Sequence, residues 1–231
     1  MGVSLTQVRE EMEQSRHNTR ERLLEAACEV FAERGFRNAT IGEISKCANA
    51  NIAAVNYHFG DKQTLYAEAW RHAYKVAMEA FPPEGGLGPE AAPEELLRAR
   101  IRAVVGLIFA DGSAGHFGKL MFCEFGVPTG ALAELVRETI WPLKERLLRI
   151  VSDLLGEDAA DGDVLLSAMS VMNQCLAFAF HKKMREHVVG RDNLLSIEVD
   201  KLADHIAEFS LAGIRGVRER IAHTKELTPE G

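Results

Sequence analysis

Residues 40–62 read TIGEISKCANANIAAVNYHFGDK, and this stretch decides the fold. Thr40 and Glu43 have the spacing of a capping box, in which two side chains satisfy backbone N–H groups at a helix start. Asn49 lies where the chain must reverse, since Asn tolerates a left-handed backbone better than any other residue except glycine. Asn51 can then cap a second helix. The stretch therefore predicts two short helices joined by a tight turn, followed by the start of a third helix.

The second of these helices, over 52–59, has two different faces. Val55 and Phe59 are four residues apart, so they face inward together. The outer face begins with small residues and continues with hydrogen-bonding side chains: Ala53, Ala54, Asn56, Tyr57 and His58. A short helix of this kind fits into the major groove of DNA. The pattern therefore favours a helix-turn-helix that reads DNA.

Further motifs surround this helix pair. Residues 20–36 read RERLLEAACEVFAERGF, and residues 57–59 read YHF shortly before Lys62. Together with the turn, these motifs resemble the DNA-binding domain of the TetR/AcrR family of one-component bacterial regulators over residues 16–80. The wording ANIAAVNYHFG of residues 50–60 resembles the CecR branch of that family. The family usually has glycine where this chain has Asn, but the backbone there accepts either residue.

The charge of the chain is distributed unevenly between its first and second parts. The 231 residues carry a net charge of −7, with 47% apolar and 26% charged residues. Residues 16–75 hold nine basic and seven acidic side chains, whereas residues 81–231 hold 17 basic and 23 acidic ones. Affinity for phosphate depends on a local basic patch rather than on the overall charge. We therefore expect DNA contacts in the first part, and an acidic remainder that discourages contact elsewhere.

Three features predict a soluble protein of the reducing cytoplasm. The first 18 residues are polar, which argues against a signal peptide. Residues 164–180 carry no charge, but Ser, Asn and Gln interrupt them, so we expect a buried helix and no membrane contact. The cysteines lack the paired spacing of a zinc site or a disulfide framework. They are Cys28, Cys47, Cys123 and Cys175.

The first part of the chain is predicted to be a DNA-binding head over 16–80, with its motif at about 40–59. Residues 1–15 are expected to form a mobile arm. Asn18 and Glu21 have capping-box spacing and predict the start of the first helix there, and Gly35 predicts its end.

A breaker rich in Pro and Gly at 81–93 separates the head from a second domain over 94–225. Apolar residues at helical spacing predict helices at about 94–111, 117–125, 130–155, 162–188 and 197–222. Pro142 should kink or split the third of these. Because no strand-like alternation appears, we predict an all-α protein of about nine helices. It would combine a three-helix helix-turn-helix head with a C-terminal helical domain for ligand binding and dimerisation.

The candidate DNA contacts fall into two classes. Those expected at phosphates are Thr40, Asn51, Tyr57, His58 and Lys62. Those expected at base edges are Ile52, Ala53, Ala54 and Asn56, of which Asn56 can pair an adenine edge. From the arm, Arg16, His17 and Arg20 can reach the backbone or the minor groove. The alternative is that Tyr57 and His58 pack inside the head.

The second domain is expected to hold a pocket for an unknown, largely apolar small-molecule effector. The candidates are Phe109, Phe117, Met121, Phe122, Phe125, Trp141, Met169, Met172, Asn173, Cys175, Leu176 and Phe180. Asn173 and Gln174 are notable because amides within an apolar helix need partners. Glu124 either selects a cationic ligand or is a solvated carboxylate. The alternative for the whole set is that Met and Phe stripes on buried helices are core.

The last two helices are predicted to form a homodimer as a four-helix bundle about a two-fold axis, as the family resemblance also implies. The expected interface residues are Leu202, Ile206, Phe209, Gly213 and Val217. No metal or cofactor is expected, because the possible ligands lack compact spacing. Those ligands are His116, Cys123, Glu124, His181 and His187. The sequence also contains no catalytic motif, so we do not expect an enzyme.

These observations predict a homodimeric transcriptional regulator, a repressor that a small-molecule effector releases from a palindromic operator. The fourth helix is the expected coupling element, reached through Leu65, Trp70 and Tyr74. The alternative is a helical ligand- or protein-binding module, or an enzyme, whose head does not engage DNA. Its best support is the scarcity of basic residues, since only Lys46 and Lys62 flank the recognition helix.

Overall fold

The computed structural model describes residues 5–88, 90–126, 128–177 and 198–227, with side chains from residue 17 onward. Within these ranges it contains nine helices and no strand, which confirms the all-α prediction. They are α1 (Leu5–Asn38), α2 (Ile41–Cys47), α3 (Ile52–Phe59), α4 (Lys62–Ala80), α5 (Pro93–Phe109), α6 (Gly112–Gly126), α7 (Ala133–Leu155), α8 (Asp161–Ala177) and α9 (Val199–Leu227). None of the helices in these ranges has the length and apolar character that crossing a membrane requires.

The chain folds into two compact units that are not contiguous in sequence. The first unit comprises Met1–Ala77 and Asp111–Leu135, and the second comprises Met78–Ala110 and Val136–Gly231. The sequence prediction placed everything after the Pro- and Gly-rich breaker in the second domain. Because α6 packs against α1, the structure instead places α6 in the unit that contains the helix-turn-helix.

Helix α1 begins earlier than predicted. It starts at Leu5, so Asn18 lies inside the helix and the predicted capping box there is wrong. Residues 5–17 contain no Gly or Pro and are rich in Glu, Gln, Met and Arg, which are good helix formers. Gly35 interrupts the helical geometry with φ 70°, so the predicted break at this residue is confirmed.

The core of the first unit is aromatic and joins four helices. Tyr66 of α4 packs on Phe31 and Phe36 of α1, with ring centroids 4.8 and 4.9 Å apart. Trp70 of α4 meets Phe117 of α6 edge to face at 5.1 Å. Such edge-to-face pairs stabilise a core beyond the area that they bury. Below them, Val55 anchors α3 in the same unit and is fully buried.

Helix α6 also departs from the prediction. The glycines at 112–118 were expected to break the chain before a short helix at 117–125, but α6 begins at Gly112. Gly115 and Gly118 are buried. Small residues at a buried face let two helices approach closely, so packing on α1 outweighs the low helix propensity of glycine.

The second unit has an aliphatic core between α5, α7, α8 and α9. Helix α7 runs without a break through Pro142, so the predicted split does not occur. Helix α8 is described as far as Ala177, and its predicted continuation to residue 188 lies outside the described residues. Glu84, in the loop before α5, accepts a hydrogen bond of 2.5 Å from the buried Arg100 and lies 3.5 Å from Arg146. This ion-pair cluster ties the Pro- and Gly-rich loop to α5 and α7.

Candidate nucleic-acid interface

The turn between α2 and α3 has the geometry that its sequence predicted. Thr40 Oγ1 accepts a hydrogen bond from Glu43 N at 3.2 Å, and Glu43 Oε2 accepts one from Thr40 N at 3.0 Å. The Thr40 hydroxyl also lies 2.9 Å from Glu43 Oε2, and its hydrogen bond to this carboxylate, together with that from Thr40 N, holds the pKa of Glu43 below its ordinary value. Asn49 has φ 49°, the left-handed conformation. Asn51 Oδ1 accepts from Ala53 N at 3.0 Å and caps α3. The helix-turn-helix prediction is therefore confirmed in its backbone detail.

One face of helix α3 packs against the core, and the opposite face is exposed to solvent. Val55 and Phe59 are buried, whereas Ala53 and Asn56 are exposed. Ile52 is 53% exposed and Tyr57 is 68% exposed, so the alternative that Tyr57 packs inside the head is wrong. The candidate base-edge side chains therefore lie on the outer surface of the helix, with Ala54 half-buried at its margin.

His58 occupies an intermediate position on α3. It is half-buried, and its ring lies 5.0 Å from that of Tyr57 and 6.2 Å from that of Phe59. The alternative that His58 packs within the head is therefore partly correct.

The start of α4 adds a potential phosphate site next to α3. Asp61 Oδ1 accepts a hydrogen bond of 2.7 Å from Thr64 N, and this bond lowers the pKa of Asp61. Lys62 is the first residue of α4, and its Nζ lies 4.7 Å from the centroid of the Phe36 ring. The ring therefore positions a cation at the start of α4, close in sequence to the recognition helix.

The candidate residues of the arm lie within α1. His17 Nε2 is 2.9 Å from Glu21 Oε1 on the next turn. Arg20 pairs with Glu68 of α4 and its guanidinium lies 5.2 Å from the centroid of the Phe59 ring, so it joins α1, α3 and α4. Its contact with DNA stays a prediction. The side chain of Arg16 lies outside the described part of the chain.

Sequence reasoning missed Arg37 as a candidate phosphate contact. It is exposed and precedes the α2 cap by three residues. Within the described ranges it forms no ion pair, whereas Arg34 lies 2.5 Å from Glu43. The available signal was its position, a basic residue just before a capped helix start. With Lys46, also exposed, Arg37 adds positive charge near the turn.

The candidate effector residues are divided between the two units. The first unit holds Phe117, Met121, Phe122 and Phe125, and the second holds Phe109, Trp141, Met169, Met172, Asn173, Cys175 and Leu176. Phe180 lies outside the described residues. Phe117 is buried between Trp70 and Tyr74, which corrects its assignment from pocket to core. Cys175 is also a core residue, where burial raises the pKa of its thiol to about 12.

Glu124 and Gln174 have structural partners, whereas Asn173 is exposed. Glu124 is 5% exposed and accepts hydrogen bonds from the Tyr66 hydroxyl at 3.3 Å and from Thr129 N at 2.9 Å. Glu124 is thus neither solvated nor open to a ligand. Burial of the Tyr66 hydroxyl, together with the nearby charge of Glu124, raises the pKa of Tyr66. Gln174 Nε2 donates to Ser210 Oγ of α9 at 3.2 Å. In the part of the chain that is described, no three His, Cys, Asp or Glu side chains could hold a metal ion together.

The predicted dimer residues lie on two sides of α9. Leu202 and Ile206 are buried in the core of their own protomer, which corrects their assignment to the interface. Val217 packs against the same core. Phe209 is 64% exposed, and Gly213 is exposed on the same outer side. The buried stripe of α9 includes alanines and a serine, so the positions of the large apolar residues alone did not show which face of the helix is buried.

The second unit also contains an open groove of about 860 Å³. The end of α4, the loop after it, α5 and the start of α9 line this groove. Of the candidate effector residues, Phe109 lines it. A volume of this size is within the range of small-molecule sites.

Comparison with known proteins agrees with this geometry. Residues 23–69 match the family described as bacterial regulatory proteins, tetR family, and residues 93–214 match that of the HTH-type transcriptional dual regulator CecR, C-terminal domain. The chain is 30% identical over 173 residues to the HTH-type transcriptional dual regulator CecR of Shigella flexneri, which covers 71% of this chain and 77% of that protein.

Two solved structures share the fold. A TetR-like transcriptional regulator from Rhodococcus sp. RHA1 has a TM-score of 0.63 at 22% identity, over 86% of this chain and 96% of that one. AibR, solved with isovaleryl coenzyme A and operator DNA, has a TM-score of 0.63 at 18% identity, over 83% and 97% of the two chains. With a TetR-type helix-turn-helix and a CecR-type second domain, the chain belongs to the TetR family and is a DNA-binding transcriptional regulator.

Proposed function

We propose that the protein is a homodimeric repressor that leaves a palindromic operator when a small-molecule effector binds. The observation that supports this most is the outer face of α3, which presents Ile52, Ala53, Asn56 and Tyr57 to solvent on a fully capped helix-turn-helix. As a regulator of bacterial DNA, the protein would act in the cytoplasm. We assign it no catalytic step.

On the operator, α3 would enter the major groove. Ile52, Ala53 and Asn56 would meet base edges, with Ala54 at the margin of the contact. Thr40, Asn51, Tyr57, His58 and Lys62 would meet phosphates, and Arg37 would join them. The phosphate contacts would supply affinity that falls with salt, whereas the base contacts would supply preference for a sequence.

A second copy of the chain would cover the apolar surface of α8 and α9. Leu166 is 66% exposed and Met169 and Phe209 are also more than half exposed, which is unusual for large apolar side chains. Two-fold pairing through this surface would bury them and form a four-helix bundle. It would also present two copies of α3 to successive major grooves, about 34–36 Å apart.

Helix α4 would couple the effector to DNA. Its first residue follows the recognition helix, and it continues to Ala80 in the second unit. Trp70 and Tyr74 pack on Phe117, and Tyr66 bonds Glu124, so α4 and α6 would move together. An effector would release DNA only if it binds the released conformation more tightly than the DNA-bound one.

Fluorescence anisotropy tests this proposal. Purified protein is titrated against labelled DNA from upstream of its own gene, at two salt concentrations and with scrambled competitor DNA. We expect saturable binding that the competitor does not remove. Binding that the competitor abolishes equally at both salt concentrations would instead favour a helical module whose head does not read DNA.

A further inference from the structure

The groove of the second unit has an apolar floor. Phe81, Leu87 and Phe109 line it, and Leu87 and Phe109 each leave more than a third of their surface exposed. Ala99 and Ala103 of α5 also line the groove with small side chains. Two aromatic rings and a leucine that remain partly wet in a concave site favour an apolar ligand.

Gly106 fixes the shape of this floor. A Cβ atom at Gly106 would lie 2.7 Å from the Phe81 ring, closer than atoms can approach. The Phe81 ring therefore packs directly against the backbone of α5 at Gly106, where a larger residue would force the ring to move. The absence of a side chain at Gly106 thus sets the position of the Phe81 ring in the wall of the groove.

The two arginines that line the groove, Arg98 and Arg102, differ in whether their charge is paired. Arg102 Nη2 donates to Asp204 Oδ1 at 2.6 Å, so its charge is matched. Arg98, one turn earlier on α5, is half-buried and forms no hydrogen bond or ion pair within the described ranges. A guanidinium that is partly withdrawn from water is a strong donor to a carboxylate or a phosphate.

The acidic residues of the groove stand at its rim. Glu95 and Asp200 also line it, but both are exposed, so water and salt screen their charges. Asp200 lies in the first turn of α9, where the helix dipole favours a negative charge without a further partner. Arg98 is therefore the charge of the groove that is best placed to hold a ligand.

We propose that this groove binds a small amphipathic anion. Its carboxylate or phosphate would bind Arg98, and its alkyl or aryl part would lie on Phe81, Leu87 and Phe109. Phe81 follows the last residue of α4 directly, so a bound ligand would contact the end of the helix that begins at the recognition helix. The role of this ligand as the effector rests on the function proposed above, whereas its affinity for the groove does not.

Isothermal titration calorimetry on the full-length protein without DNA tests the site. The probes share a ten-carbon chain and differ in head group: decanoate, decyl phosphate, decanol and decylamine, each below its aggregation concentration. We expect saturable binding of at least one anion, with decanol about tenfold weaker, since a charged hydrogen bond is lost. Whether decanoate or decyl phosphate binds better identifies the preferred head group. Equal affinity for anion and alcohol, tighter binding of decylamine, or no binding of either anion would overturn the proposal.

Variants place the ligand. Arg98→Gln should lower the affinity for the anion about tenfold, to that of decanol, while Arg149→Gln, which removes an exposed charge from α7, should change nothing. Ala103→Trp should fill the groove and abolish binding of both the anion and decanol. Wild-type affinity for the anion in Arg98→Gln, with its thermal unfolding unchanged, would reject Arg98 as the head-group site.

A final arm separates this inference from the proposed function. The tighter anion is added to the protein–operator complex in the anisotropy assay. Release of DNA by wild type but not by Arg98→Gln would support the effector role. If calorimetry detects the anion but DNA is not released, the site stands and its effector role is overturned. If the protein binds no operator at all, the proposed function fails while the calorimetric result still decides the groove.

Discussion

In the first unit, some polar side chains stabilise the helix-turn-helix and others are exposed where they can contact DNA. The side chain of Asn51 caps α3, whereas the amide of Asn56, about one and a half turns later, is exposed to solvent. An amide in this position can accept and donate at an adenine edge at once. Lys62 offers charge without such directional chemistry. The two residues should therefore affect DNA binding in different ways.

We expect Asn56→Ala to change sequence preference and Lys62→Ala to weaken binding to every sequence. Loss of a base contact costs about 1–3 kcal/mol at one operator position, whereas loss of a phosphate contact lowers the salt slope by about one. Anisotropy against a set of singly substituted operators, at several salt concentrations, measures both effects. An equal loss on all operators for Asn56→Ala would reject its reading role.

Tyr66 and Glu124 form a buried polar contact in the first unit. We expect Tyr66→Phe to lower the free energy of unfolding by about 1 kcal/mol, since Glu124 loses one donor but keeps Thr129. Tyr74→Phe is the matched control, because Tyr74 packs on Phe117 by its ring. Urea unfolding measures both variants. A similar loss in the two would show that the hydroxyl of Tyr66 contributes nothing special.

His116 should make stability depend on pH. Burial, together with Lys119, lowers the pKa of His116 despite Glu29 and Glu33 nearby. The unfolded chain has the ordinary histidine pKa of about 6.5, so below that pH it binds a proton that the folded chain binds less well. The stability contributed by neutral His116 is therefore present above about pH 6.5 and is lost as the pH falls toward the lowered pKa.

We expect His116→Gln to be less sensitive to acid than wild type. The measurement is the free energy of unfolding in urea at about pH 7.5 and about pH 5.5, where the difference between the two should shrink in the variant. His223→Gln changes an exposed histidine and should keep the wild-type difference. The interpretation would be wrong if both variants behaved alike.

At the scale of the elements, the short helices depend on their caps. Helix α2 has only two turns, so its Thr40–Glu43 box is a large part of its stability. We expect Thr40→Ala to cost about 1 kcal/mol, with Thr40→Ser close to wild type because the hydroxyl remains. Thermal unfolding measures this, and equal stability of the Ala and Ser variants would contradict it.

The elements also show where sequence prediction works. Thr40, Asn49 and Asn51 act on backbone within three residues of themselves, so their roles could be predicted before the fold was known. The start of helix α6 at Gly112 could not be predicted in this way. Gly115 and Gly118 weaken a helix by themselves, and only their burial reverses that effect.

The same reasoning applies to the candidate sites. The outer face of α3 was predicted because Val55 and Phe59 fix which side is buried. The faces of α9 were not, because alanines complete its buried stripe and the hydrophobic pattern alone cannot assign Phe209 to the outside. Arg98 was missed because the sequence does not show which basic residue of α5 is paired. Arg102 binds Asp204, which is distant in sequence, whereas Arg98 has no ion pair within the described residues.

At the scale of the whole molecule, dimerisation should decide DNA binding. We expect Phe209→Glu combined with Leu166→Glu to give a folded monomer, because two charges would enter the proposed interface. Sedimentation velocity measures the mass, and anisotropy should show loss of affinity for a full palindrome with much less loss for a half-site. Leu227→Glu, also exposed on α9 but at its end, is the control and should remain dimeric.

The division of the chain into non-contiguous units limits how such regulators can be recombined. A fragment that stops after α4 would lack α6, leaving Trp70 without Phe117 and Tyr66 without Glu124. A gene fusion that transplants only the first 80 residues onto another regulator would carry half of a core, and we expect it to aggregate. New operator specificity would be moved more safely by grafting the outer residues of α3, or by transferring residues 111–135 along with the head.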